Sequence, residues 1–89
     1  MFILTQKNKG QNGAYAVLDE NDEEVLYIFQ EEDDAVRYAM MLEDCVGEMD
    51  VLEIEDEVIV KTCIVKNHKF TIITKNDIVI PPETEHDFI

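Results

Sequence analysis

Few residues of this chain have both the type and the spacing that chemistry requires. Asp19, Asn21 and Glu23 alternate as the first ligands of a calcium loop do. The sixth place of such a loop needs glycine and here holds Glu24; the twelfth needs a bidentate glutamate and holds Gln30. The segment therefore reads as a solvated hairpin tip. The soft metal donors are Cys45, Cys63, His68 and His86. No two of them form a C-x-x-C or H-x-x-H pair, so zinc has no framework. Cys63 and His68 are the one close pair, and a thiol activated by an imidazole is the chemistry they could perform. The chain has no serine, and no glycine-rich oxyanion loop lies beside that pair. The loop from Gly10 to Gly13, with Lys7 and Lys9, is followed by no helical pattern and is no phosphate loop. No catalytic, metal or cofactor site is expected, and the chain is not expected to be an enzyme.

Binding is the alternative to catalysis, and two segments invite it. Glu31, Glu32, Asp33 and Asp34 form a compact acidic run. Pro81-Pro82-Glu83, followed by Asp87 and Phe88, forms an acidic end segment with an apolar residue at its tip. Such a segment can be captured as a short peptide by a partner, or Phe88 can pack back onto its own domain. Both outcomes stay open on sequence.

Composition limits the classes further. Among 89 residues, 21 are Asp or Glu and seven are Lys or Arg, a formal charge of −14. The hydrophobic fraction of 46% is too high for a simply disordered chain. One domain fits and two do not. The field repels phosphate polyanions and anionic lipid, so direct binding to nucleic acid or membrane is not expected. The charge is uneven: −16 over residues 14–57, against +4 over 58–76. The start of the chain lacks the basic-then-apolar pattern of a signal peptide. No apolar run approaches the ~20 residues of a membrane span. Both cysteines lie among apolar neighbours in sequence and read as buried free thiols, with a disulfide between them as the weaker reading, so a cytoplasmic protein is expected.

The elements that must position these residues follow from periodicity. Phe2 to Thr5, Ala14 to Leu18, Val25 to Phe29, Met49 to Glu55 and Phe70 to Thr74 read as strands. Ile78 to Ile80 reads as a short edge strand closed by Pro81. Residues 31–46 read as a helix. Its first turn is acidic, its apolar face is Ala35, Tyr38, Ala39, Leu42, Cys45 and Val46, and Gly47 is placed to cap it. Arg37 is expected to pair with Asp33 four residues earlier. Residues 56–67 are divided. β-branched Val58, Ile59, Val60, Ile64 and Val65 lean to strand, while Asp56, Glu57, Lys61 and Lys66 suit a helix.

The segment Phe29 to Glu43, with its aromatic-ended strand, Glu-Asp-Asp-Ala start and Arg37-Tyr38-Ala39, resembles the signature helix of a small cyanobacterial family, domain of unknown function 3110. Gly13 to Val17, Ile54 to Cys63 and Pro81-Pro82-Glu83 resemble further pieces of that family in the same order. The resemblance implies a helix at 56–67 and a cyanobacterial or phage-infected cytoplasm as the setting. It implies no activity.

The resulting expectation is an α+β domain over residues 1–80, followed by an acidic tail over 81–89. It is a two-layer sandwich, a small mostly antiparallel sheet with one or two helices on one face. Tyr38, Leu42 and Val46 are expected to pack on Ile28, Leu52, Ile54 and Ile72. Function is expected to be non-catalytic binding of a protein partner, with an acidic DNA mimic as the alternative and a Cys63/His68 enzyme or metal protein behind both. Dimerisation through an exposed sheet edge is a further expectation.

Overall fold

Six strands and two helices follow one another as β1 (Phe2–Gln6), β2 (Tyr15–Leu18), β3 (Glu24–Phe29), α1 (Glu32–Leu42), β4 (Met49–Glu53), α2 (Asp56–Val65), β5 (Lys69–Ile73) and β6 (His86–Phe88). The structure is a computed structural model and describes residues 1–7, 13–77, 79, 81 and 86–88. All six strands enter one sheet, ordered β4-β1-β3-β2-β6, with β5 pairing β3 outside that path. Every pairing is antiparallel except β3 with β5. The α+β class and the mostly antiparallel sheet are those the sequence predicts.

β3 is the hub. β5 runs along it from Val25 to Phe29. β2 pairs with β3 from Glu24 to Leu26, and β1 meets it only at Phe29. A strand has two edges, so β2 and β1 share the one that β5 leaves. They touch each other through a single bridge, Thr5 to Ala14.

Side chains alternate across a strand, and this alternation builds two cores. On one face Leu4, Tyr15, Phe29 and Ile73 pack with Ala35, Tyr38, Ala39 and Leu42 of α1. On the other face Ile3, Ala14, Leu26 and Ile28 pack with Ile59 and Cys63 of α2. The helices therefore cover opposite faces, and α2 adds a third layer to the expected two. Tyr38 and Leu42 are buried as predicted, but their expected strand partners are displaced by one residue. Phe29 replaces Ile28, Val51 replaces Leu52 and Ile73 replaces Ile72. Because the side-chain period of a strand is two, a shift of one residue is a change of face.

α1 begins on the acidic turn Glu32, Asp33, Asp34, where carboxylates meet the positive end of the helix dipole. It ends at Leu42 rather than Val46. The Leu42 carbonyl accepts from the N–H groups of Cys45 (3.0 Å), Val46 (2.8 Å) and Gly47 (3.2 Å), which closes the chain into turns. Gly47 has φ +114°, the left-handed region expected of a cap. Cys45 falls outside the helix and is exposed, a correction to its expected burial.

α2 answers the divided segment in favour of a helix. Ile59 and Cys63, one turn apart, are its only buried side chains. Their joint burial on the sheet outweighs the β-branched propensity of their neighbours. Val58, Ile64 and Val65 remain 51%, 67% and 76% exposed.

The expected tail is corrected at its end: His86 to Phe88 form β6 and pair antiparallel with β2, so this part belongs to the sheet. The strand expected at 78–80 lies largely outside the described residues; Val79, which is described, packs against the α1 core without forming a strand.

Candidate functional site

α1 buries one side completely and presents an unusual other side. Ala35, Tyr38, Ala39 and Leu42 face the core, so Asp33, Val36, Arg37 and Met40 fall outward at helical spacing. Met40 is 64% exposed, Val36 42% and Met41 36%. Glu32 and Asp33 precede this apolar strip, and Glu43 and Asp44 follow it, all exposed. The result is a short methionine-centred ridge with carboxylates at both ends. A thioether adapts its shape to a partner surface, and flanking carboxylates select a basic rim.

The acidic run predicted as a site is split by the helix. Glu31, Glu32 and Asp33 are exposed and free to meet a partner. The Asp34 side chain is only 14% exposed and pairs with Arg37 at 3.4 Å, three residues on, in place of the expected Asp33 pair. Its Oδ2 is buried without a hydrogen-bond partner among the described residues. Pro81 is half-buried, Pro82 and Glu83 lie outside the described residues, and so does the Asp87 side chain. Phe88 packs back: its ring meets Tyr15 edge-on, centroids 6.0 Å apart, beside the α1 core. Among the described residues, Phe88 thus packs with the α1 core while Glu31, Glu32 and Asp33 stay exposed at the start of α1.

The hairpin tip is closed by its own groups. Asp19 Oδ1 accepts from the N–H groups of Asn21 (2.8 Å) and Glu23 (3.0 Å), while Lys69 Nζ donates to Asp19 Oδ2 at 3.1 Å. Lys69 also pairs with Glu23 at 2.7 Å. The Glu23 N–H first, then Lys69, hold the Asp19 carboxyl below its usual range. No group of three or more metal-ligating side chains converges among the described residues.

A buried hydroxyl chain links three elements that the sequence did not connect. Tyr38 of α1 and Tyr15 of β2 bring their hydroxyls to 3.1 Å, and the Tyr15 hydroxyl lies 2.7 Å from His86 Nδ1 of β6. Burial pushes the Tyr15 phenol up to about 12. Burial first, and then the hydrogen bond to Tyr15, push Tyr38 further up. Both stay neutral near pH 7 and offer neither a base nor a nucleophile. Either hydroxyl can donate in the Tyr15–Tyr38 bond, and where Tyr38 donates, Tyr15 can donate in turn to an unprotonated Nδ1. The chain is a structural clasp across α1, β2 and β6. No periodic signal ties positions 15, 38 and 86 together, which is why sequence reasoning missed it.

On the opposite face a cleft of about 730 Å³ opens between α2 and the sheet. Cys63 and His68 both line it. The His68 backbone N–H donates to the Cys63 carbonyl at 2.8 Å, and no hydrogen bond joins thiol to imidazole among the described residues. Burial raises the Cys63 thiol above its ordinary value, which keeps it protonated and unreactive.

The comparisons agree with the signature helix. A family model described as Domain of unknown function (DUF3110) matches residues 1–83. No curated protein and no solved structure matches the chain.

Proposed function

We propose that this chain, which belongs to the DUF3110 family, is a non-catalytic protein-binding module whose contact surface is the outer side of α1. The observation that carries the reading is Met40, 64% exposed with Val36 and Met41 beside it, on a helix whose inner side is fully buried. An exposed apolar strip edged by charge is the form an interaction surface takes. The partner it fits is a protein with a small apolar depression rimmed by Lys or Arg. The −16 carried by residues 14–57 steers such a partner in and turns nucleic-acid phosphates away. The setting proposed is the cytoplasm of a cyanobacterial or phage-infected cell, with no membrane or cofactor involved.

The DNA-mimic alternative draws little support. Exposed acids lie on the β2–β3 turn, both ends of α1, β4 and the start of α2, so the mimic would need one row drawn from four separate elements.

Capture from a cyanobacterial lysate tests the proposal. The wild-type chain is compared with Met40→Lys and with the double change Glu32→Lys, Asp33→Lys. Residues 81–89 stay in place, because β6 is part of the sheet. Proteins held by the wild type in moderate salt and lost with both variants are the expected result. No specific protein, or the same proteins on all three baits, contradicts it.

A further inference from the structure

We propose that the cleft between α2 and the sheet binds a small anionic amphiphile, a molecule with an apolar body and a single carboxylate or phosphate head. Its volume of about 730 Å³ is in the range of small-molecule sites. The floor is apolar: Ile3, Ala14 and Leu26 from the sheet and Ile59 from α2. Lys66 and His68 stand on the lining at the end of α2.

Charge selects the ligand class. The chain has 21 acids, and none of the described lining residues is acidic. Lys7, Arg37 and Lys69 each hold a carboxylate, whereas Lys61, Lys66 and Lys75 hold none among the described residues, and of these three Lys66 is the one on the lining. An ammonium left unneutralised in so acidic a protein, beside an imidazole and above an apolar floor, complements one negative head on an apolar body. The Thr62 hydroxyl on the same lining already donates to the Val58 carbonyl at 2.7 Å, so Lys66 is the anchor for the head. A cationic amphiphile would meet no carboxylate among the described lining residues, and a polyanion would be repelled by the net charge of −14. The cleft lies on the face opposite α1, so this inference stands apart from the protein-binding reading.

Titration calorimetry of the full chain with decanoate and with decyl phosphate tests it, using decanol and decylammonium as controls. The expected result is saturable one-to-one binding of at least one anion, at least about tenfold tighter than either control. The stronger of the two anions identifies the head as carboxylate or phosphate. Lys66→Gln is expected to weaken binding about tenfold. Thr62→Trp is expected to fill the cleft and abolish binding, with circular dichroism and unfolding midpoint retained. Should Thr62→Trp misfold, Lys66→Gln, an exposed change past the end of α2, decides alone. Absence of saturable anion binding, equal affinity for decanol, or indifference to Lys66→Gln would overturn the proposal.

Discussion

Replacing Tyr15 by phenylalanine removes the middle of a three-member chain and leaves both the Tyr38 hydroxyl and His86 Nδ1 without their partner. A loss of roughly 2 kcal/mol is expected, against roughly 1 kcal/mol for Tyr38→Phe, which removes only the end of the chain. Urea unfolding measures both. The same residues set an alkaline limit. Their folded-state pKa values lie above the ordinary phenol value, Tyr15 at about 12. The clasp therefore contributes fully below pH 10 and is lost as pH rises from 10 through about 12. The urea midpoint is expected to fall in that window together with the rise of tyrosinate absorbance; a flat midpoint up to pH 11.5 would contradict this. Single residues were only partly legible in the sequence. Tyr38 and Leu42 announce their burial by helical spacing. Val36 and Met40 sit at the positions that spacing assigns to water, and their apolar nature there was the available signal of a contact surface.

At the scale of elements, the two helices are unequally anchored. α1 seats four side chains in its core and α2 seats two. Amide hydrogen exchange is expected to be faster throughout α2 than in the buried turns of α1, because few apolar contacts resist its opening. Ile59→Ala removes one of its two buried anchors and is expected to cost about 2–3 kcal/mol and to detach α2 locally before global unfolding. Equal protection of both helices would show that α2 is held by more than these contacts. The sequence showed the strands well because their apolar runs are short and bounded. It did not show which face each strand offers to which helix, since Ile28-Phe29, Val51-Leu52 and Ile72-Ile73 are apolar on both sides. It also left α2 divided, because ten residues, six of them β-branched, have no local preference strong enough to overrule tertiary packing.

For the whole molecule, self-repulsion is the dominant electrostatic fact. With a formal charge of −14, raising NaCl from about 20 mM to about 500 mM shortens the screening length severalfold and is expected to raise the melting temperature by ~5 °C. The exposed Lys7–Glu48 and Lys69 pairs lose little in exchange, since such pairs contribute at most about 1 kcal/mol. A melting temperature that falls with salt would show that attractive pairs outweigh the net repulsion.

The pairing of β6 with β2 also has a consequence for the order in which the molecule comes into being. Val17 meets Val25 a few residues downstream, but on its other side it meets His86. Phe2 likewise waits for Glu53. A chain emerging residue by residue can close the β2–β3 hairpin early, yet it holds Tyr15 with an open strand edge, and its hydroxyl with Tyr38 as sole partner in the clasp, until the segment at 86–88 arrives. Contacts so distant along the chain slow folding. The first half, with its hairpin, carries most of the acids, so its own charge works against pairing of that open edge with another copy until β6 closes it.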